Sequence, residues 1–486
     1  MSLFGNEVWD KKVFTGAWTA ASGTPAEVVE PATGDVLGHV GSATADDVDA
    51  ACAKAAAAQS DWERTPFEER AAILRRAGRI FEEHAEEIRT WIVREAGSIG
   101  PKAELEARTA ATECFEAAAL PSHASGELLP SADGRLSFSR RVAAGVVGVI
   151  APFNFPMILS IRAVAPALAL GNSVVLKPDT RTAVCGGVAL AAVFEAAGVP
   201  EGVFQMLPGG ADAGAALVAN RHTRVIAFTG STAAGRKVAE AAATHLKRAH
   251  LELGGNNALI VLPGANVAAA VSAAAWGAFL HQGQICMAAG RHLVHESIAD
   301  DYVAALAEKA RNLPVGDPHT ADVALGPIID AKQRDNIHRL VTESVESGAV
   351  VAAGGDYDGL FYRPTVLDGV RRATPAFREE IFGPVAPVLR YRTVDEAVEI
   401  AADTEYGLSL SVLGADAMQA WEVAKRIPSG LVHINDQTVA DHPHIPFGGV
   451  KHSGNGGRIG TAAANIESFT ETQWVTIQGP VQQYPF

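Results

Sequence analysis

The chain has 486 residues, 48% hydrophobic and 20% charged, enough to bury a large core divided among two or three structural units. Its 55 acidic against 40 basic residues give a net charge of −15, which argues against nonspecific binding to nucleic acid or an anionic membrane. No stretch of the amino terminus has the apolar core of a signal peptide, and the four scattered cysteines show no CxxC spacing, so the expectation is a cytoplasmic protein with neither disulfide framework nor metal site.

Between residues 66 and 96, Ile73, Leu74, Ala77, Ile80, Phe81, Ile88, Trp91 and Ile92 recur at three- and four-residue spacing, which predicts one amphipathic helix. Another helix is expected after Pro101. The pattern then changes to short apolar runs at 142–150, 173–176, 203–207 and 224–228, separated by Ala-rich helical stretches. Strands alternating with helices indicate parallel βαβ units, a doubly wound sheet that binds ligands at its strand carboxyl ends. After Gly254-Gly255 the alternation restarts with 258–262, a helix through 266–280 and further segments to about 430, which suggests a second α/β domain. The stretch 124–141 and the residues from Glu471 to Phe486 are polar or β-prone without helical periodicity. They read as arms outside the main domains that pair with a partner subunit, or as an exposed hairpin and tail.

Cys52, Cys114 and Cys185 lie in helix-like segments and are expected to be small buried residues. Cys286 differs, standing in Gly-Gln-Ile-Cys-Met-Ala-Ala-Gly-Arg, where Gly283 and Gly290 permit tight backbone and main-chain N–H groups facing a reacting atom. A cysteine nucleophile needs a lowered pKa or a base. Glu252, at an expected strand end beside Gly254-Gly255, can supply that base if partly desolvated; a surface carboxylate is the alternative. Asn154, in Ala-Pro-Phe-Asn-Phe-Pro-Met after an apolar strand, can donate to a developing oxyanion, or simply form a turn. Gly230-Ser231-Thr232-Ala-Ala-Gly235 follows a strand and opens a helix, a plausible phosphate site although it matches neither usual nucleotide fingerprint. Lys177 ends another strand, where its ammonium could reach ribose hydroxyls.

In one order along the chain, Pro152-Phe-Asn-Phe-Pro156, Leu176-Lys-Pro178, Phe228-Thr-Gly-Ser231, Glu252-Leu-Gly-Gly255, Gly283-Gln-Ile-Cys286, Glu379-Glu-Ile-Phe-Gly-Pro384 and Pro446-Phe-Gly-Gly449 together resemble the NAD(P)-dependent aldehyde dehydrogenase superfamily over nearly the whole length. The resemblance implies Cys286 as nucleophile, Glu252 as deacylating base, and Asn154 with the Cys286 N–H as oxyanion hole. It implies a dinucleotide held by Ile150, Phe153, Lys177, Asp179, Gly230, Ser231, Gly235, Glu380 and Phe382, with NAD favoured and NADP open, and no metal. It also implies a fold of two doubly wound α/β domains with a β oligomerisation arm. The boundaries are 1–123 and 142–252 for the cofactor domain, 253–448 for the catalytic domain, 124–141 and 466–486 for the arm of a homodimer or homotetramer, and 449–465 for a return segment.

Three departures from the family pattern bear on function. Thr180 stands where many members carry a glutamate that would repel a 2′-phosphate, Ile459 replaces a common glutamate, and the polar segment 435–446 is long. With residues 177–183 and 157–162, that segment looks most like the benzaldehyde and vanillin dehydrogenase branch. Phe155, Leu159, Arg162, Ile285, Met287 and Phe447 then line the substrate tunnel. Arg162 could bond a ring substituent, bind a carboxylate as in succinate semialdehyde relatives, or brace a helix. His442 and His444 read as loop-shaping residues. The alternatives to an aromatic aldehyde dehydrogenase are a semialdehyde dehydrogenase, a cofactor-independent cysteine esterase or acyl transferase, and a noncatalytic dinucleotide-binding protein.

Overall fold

The computed structural model describes residues 2–131 and 134–486; residue 1 and residues 132–133 of the expected arm lie outside the described residues. Two seven-stranded sheets form the frame. The first runs in the order Arg248–Glu252, Thr223–Thr229, Val146–Ile150, Ser173–Lys177, Phe204–Met206, Lys12–Phe14, Trp18–Ala20. Its first five strands are parallel, and the amino-terminal pair extends the edge with antiparallel pairings. From Val146–Ile150 the chain builds outward on one side, then crosses back to lay Thr223–Thr229 on the other. That reversal opens a crevice at the strand carboxyl ends, where Ile150, Lys177, Thr229 and Glu252 are the last residues of their strands.

The second sheet runs Val350–Ala353, Thr365–Asp368, Val385–Tyr391, Arg291–His295, Ala258–Val261, Ser409–Leu413, Leu431–Ile434, parallel except for its first pairing. Alternate residues of one strand enter different cores: Ala258 and Ile260 pack with Tyr362 and Leu410 on one face, Leu259 and Val261 with Phe279 and Tyr302 on the other. Both faces are therefore covered, as parallel sheets require, and the strands read as unbroken apolar runs.

Two elements differ from their sequence expectation. The helix expected over 66–96 is two, Phe67–Glu83 and Ala85–Ala96, because the chain leaves helical geometry at His84 (φ −106°, ψ 16°). Both helices bury the same apolar series, so periodicity passes through the break without revealing it. The run 142–150 is also divided. Gly145, at φ +123°, separates Val146–Ile150 from Leu136–Ala143, which pairs antiparallel with Thr470–Ile477 outside both sheets. Residues 466–469, placed with the arm by sequence, finish the helix Ala462–Phe469. No helix among the described residues is long and apolar enough to cross a membrane.

Candidate active site

Cys286 is held by an unusual turn. The helix Val267–Phe279 ends and three successive residues, His281, Gln282 and Gly283, take left-handed φ values of 47°, 55° and 67°. Two of the three are not glycine, a conformation that persists only when surroundings enforce it. Buried Gln282 supplies part of the enforcement, its amide donating to the carbonyls of Gly97 (3.0 Å) and Pro327 (2.8 Å). Gly283 cannot be replaced cheaply, since a Cβ there would lie 2.1 Å from the Gly383 carbonyl oxygen. Beyond the turn, the Asn257 amide donates to the carbonyls of Cys286 (2.8 Å) and Ala288 (2.7 Å). The Cys286 N–H has no acceptor among the described residues.

Burial pushes the Cys286 thiol up to about 12, and the charges of Glu380, Glu252 and Asp441 push the same way. At neutral pH the group is a thiol, so a base must take its proton before it attacks. Glu252, 7% exposed, ends its strand with one carboxylate oxygen unpartnered. Burial raises it to about 8; the positive charges of Arg162 and Arg458 oppose that rise and Asp441 adds to it. A carboxyl poised there can exchange protons near neutral pH. Asn154 lies in the turn after Val146–Ile150, and its side-chain amide donates to the Gln284 carbonyl at 2.9 Å, two residues before the cysteine.

A cleft of about 400 Å³ adjoins these groups, lined by Ile150, Phe153, Asn154, Leu159, Lys177, Asp179, Gly230, Ser231, Glu380 and Phe382 together with Cys286. Ser231 caps the helix Thr232–Thr244 by accepting from Ala234 N–H, leaving an anion-favouring terminus at the crevice. Burial lowers the Lys177 ammonium, whose Nζ, among the described residues, bonds the adjacent Pro178 carbonyl alone, at 3.3 Å. Asp179 is engaged twice by Arg181 (2.9 and 2.8 Å), whose guanidinium also lies 4.2 Å from the Phe153 ring centre. Opposite, Glu380 accepts from the Gly255 N–H at 2.9 Å. Phe382 is held at φ +52° and meets Phe153 edge-on, with ring centres 5.9 Å apart. Gly235 lies one turn inside its helix, where a Cβ would come 2.3 Å from Leu253, itself part of the cleft lining.

Packed against Cys286, Ile285, Met287, Leu408, Leu431 and Phe447 form one buried cluster, with Phe155, Leu280, Val439 and Ile445 also against it. Leu159, expected in this tunnel, lines the cleft on the Lys177 side. Arg162 lies over the Phe447 ring at 4.8 Å. It is almost wholly buried, donates to Asp441 of the 435–446 segment, and lies 3.5 Å from Glu113. Burial raises Glu113 to about 7 while Arg162 opposes the rise. His442 and His444 stack at 5.6 Å, and the described residues contain no metal-holding cluster of acidic, His or Cys side chains.

Sequence reasoning missed Asn257, Gln282, Glu113, Asp441 and the residues behind Asn154. Asn257 alone had a local signal, since it closes the run Glu252 to Asn257. The others act through partners remote in sequence.

The aldehyde dehydrogenase family model matches residues 18–475. A vanillin dehydrogenase of Amycolatopsis sp. is 63% identical over the full length of both chains. A benzaldehyde dehydrogenase [NAD(+)] of Pseudomonas putida is 50% identical over 99% of this chain and 98% of that one. The crystal structure of a salicylaldehyde dehydrogenase from Pseudomonas putida G7, complexed with salicylaldehyde, superposes with a TM-score of 0.93 at 36% identity, over 98% of this chain and 99% of that one.

Proposed function

Because the chain belongs to the aldehyde dehydrogenase family, we propose that it oxidises an aromatic aldehyde of the benzaldehyde or vanillin type to the carboxylic acid. The observation that carries this reading is the apolar, aromatic-edged cluster of Phe155, Ile285, Met287, Leu431 and Phe447 around Cys286, suited to a flat ring. Names borne by the relatives point the same way.

In the proposed mechanism Glu252 takes the thiol proton and Cys286 Sγ attacks the aldehyde carbon. The resulting oxyanion is held by the Asn154 amide and the Cys286 N–H, two donors fixed before the reaction begins. A nicotinamide dinucleotide in the cleft would supply the hydride acceptor, and loss of hydride from the tetrahedral carbon leaves a thioester on Cys286. Glu252, having passed the thiol proton to solvent, then deprotonates the water that attacks the thioester, and the acid departs as Sγ recovers that second proton.

The residues of the cleft fit such a dinucleotide. Lys177 brings a half-buried ammonium with one weak local acceptor, Ser231 opens a helix toward the crevice, and a Cβ on Gly254 would lie 2.1 Å from a Glu380 oxygen. Lys177 would hold the adenosine ribose, Ser231 a phosphate, Glu380 the nicotinamide ribose, and Phe382 would flank the ring. NAD is the favoured acceptor, as for the P. putida relative whose name carries it. NADP stays open because both Asp179 oxygens are committed to Arg181, leaving no free carboxylate there to repel a 2′-phosphate. The reading is of a cytoplasmic enzyme, where a reducing environment preserves a free nucleophilic thiol. Its homodimer or homotetramer would form through the pair Leu136–Ala143 and Thr470–Ile477, which exposes Leu136, Trp474 and Ile477.

Arg162 argues against the semialdehyde reading. With Asp441 bound and Glu113 at 3.5 Å, its cluster already holds one cation and two carboxyl groups, and a substrate carboxylate would add a like charge. A panel of benzaldehyde, vanillin, succinate semialdehyde and a short aliphatic aldehyde, each with NAD and NADP, tests the proposal. The aromatic aldehydes should give the highest kcat/KM; a higher value for succinate semialdehyde would make Arg162 a carboxylate anchor and overturn it.

A further inference from the structure

Behind Asn154 lies a buried ion pair for which the mechanism above has no use. Lys102 and Glu106, one turn apart in the helix Gly100–Ala119, have side chains with no exposed surface. The ammonium has three N–H donors, and each has an acceptor: Ser98 Oγ at 3.0 Å, Glu106 Oε1 at 2.5 Å and the Asn154 carbonyl at 2.7 Å. The ammonium also lies 4.3 Å from the ring centre of Phe155. The second Glu106 oxygen accepts from Met157 N–H (3.1 Å) and Ile158 N–H (3.3 Å), in the first turn of the helix Pro156–Ala169. One ion pair thus holds residues 154–158 at both ends. The carbonyl end is fixed by Lys102 Nζ, the amide end by the second carboxyl oxygen of Glu106.

Buried ion pairs contribute little net stability compared with apolar residues of similar volume, so burial alone gives this pair no purpose. Its geometry does. The backbone of Asn154 is fixed through its carbonyl and the side chain through Gln284, and the segment between them determines where the amide stands relative to Cys286. We propose that Lys102 and Glu106 are positioning residues that hold Asn154 as an oxyanion donor. The inference rests on the reading of Asn154 given above.

The test compares Lys102→Met, and the charge-free pair Lys102→Met/Glu106→Gln, with Asn154→Ala in the full-length enzyme. Three rates are measured on each: aldehyde oxidation, hydrolysis of p-nitrophenyl acetate, and alkylation of Cys286 by iodoacetamide. The first two pass through a tetrahedral oxyanion and the third does not. Both Lys102 variants should lose roughly 10- to 100-fold in kcat for oxidation and ester hydrolysis alike. Alkylation and the KM for NAD should stay within about twofold, since neither needs the oxyanion donor. In an Asn154→Ala background the Lys102→Met loss should vanish, because residues acting through one donor are not additive. Unchanged kcat in the folded variants overturns the proposal, as does an equal fall in alkylation, an additive effect with Asn154→Ala, or a double variant that does not fold. If Asn154→Ala itself leaves kcat intact, the reading of Asn154 fails; if it lowers kcat and the Lys102 variants do not, only the positioning role fails.

Discussion

The two sheets are built alike but bring their residues to the site from opposite ends. The first presents strand carboxyl ends, with Ile150, Lys177 and Glu252 as last residues and Asn154 and Ser231 just beyond their strands. The second contributes from the approaches to its strands: Cys286 precedes Arg291–His295, and Glu380 and Phe382 precede Val385–Tyr391. Carboxyl ends point a side chain into the crevice with ordinary backbone. The approaches require left-handed residues, His281, Gln282, Gly283 and Phe382, so the second domain carries the backbone strain of the site and the first carries almost none.

Variants that break this division order themselves by size. Cys286→Ala should remove roughly four orders of magnitude or more from turnover, read as aldehyde-dependent growth of reduced-nicotinamide absorbance. Undiminished turnover would leave the strained loop without a purpose. On the first sheet, Glu252→Gln should slow turnover by roughly 10²- to 10⁴-fold and suppress the single-turnover burst of reduced cofactor as well, because the same carboxylate takes the Cys286 thiol proton. A full burst followed by slow turnover would show that the thiol is activated elsewhere and confine Glu252 to deacylation.

Gly283→Ala sharpens the comparison, because a Cβ must enter the space of the Gly383 carbonyl oxygen from a left-handed residue. It should cost roughly 10²-fold in kcat with little change in the KM for NAD, since the proposed phosphate site at Ser231 follows a strand of the first sheet. Equal losses in both constants would mean the two ends are not independent.

A smaller effect is expected in pH dependence. The ionised form of Glu252 is the base, so deacylation should rise with pH through about 8. Arg162 favours that ionised form and Asp441 disfavours it. Arg162→Met should therefore move the rising limb of kcat to higher pH, and Asp441→Asn to lower pH, in profiles recorded from pH 6 to 10. Shifts of the same sign would show that the pair acts on the fold of segment 435–446 and not on the charge at Glu252. Least of all, Cys52→Ala, Cys114→Ala and Cys185→Ala should leave kcat within about twofold and cost roughly 1 kcal/mol each in stability, since all three thiols are buried in the first domain's cores.

Much of this was legible in the sequence. The alternation of apolar runs with Ala-rich helical stretches fixed the fold class, and glycine and proline after the runs marked the strand ends that carry Lys177, Ser231 and Glu252. Such signals are local: a side-chain period, a helix cap and a turn residue each act within a few positions. Gly235 shows where they are ambiguous, because a glycine packed against Leu253 reads the same as one wanted by a phosphate.

What the tertiary structure alone decided are the contacts that tune those residues. No spacing announces that His281 and Gln282 will be left-handed, because Gly97 and Pro327, which hold Gln282 there, come from another part of the chain. Lys102 and Glu106 read as two charges on a helix until folding buries them beneath Asn154. Arg162 has three meanings in the sequence, and only the packed chain surrounds it with Glu113 and Asp441, which weigh against the carboxylate-binding one. The sequence by itself supplied the candidate nucleophile, base and donor, since those are properties of residue type. Their strength and aim depend on burial and on remote charges, and only the packed chain supplies those.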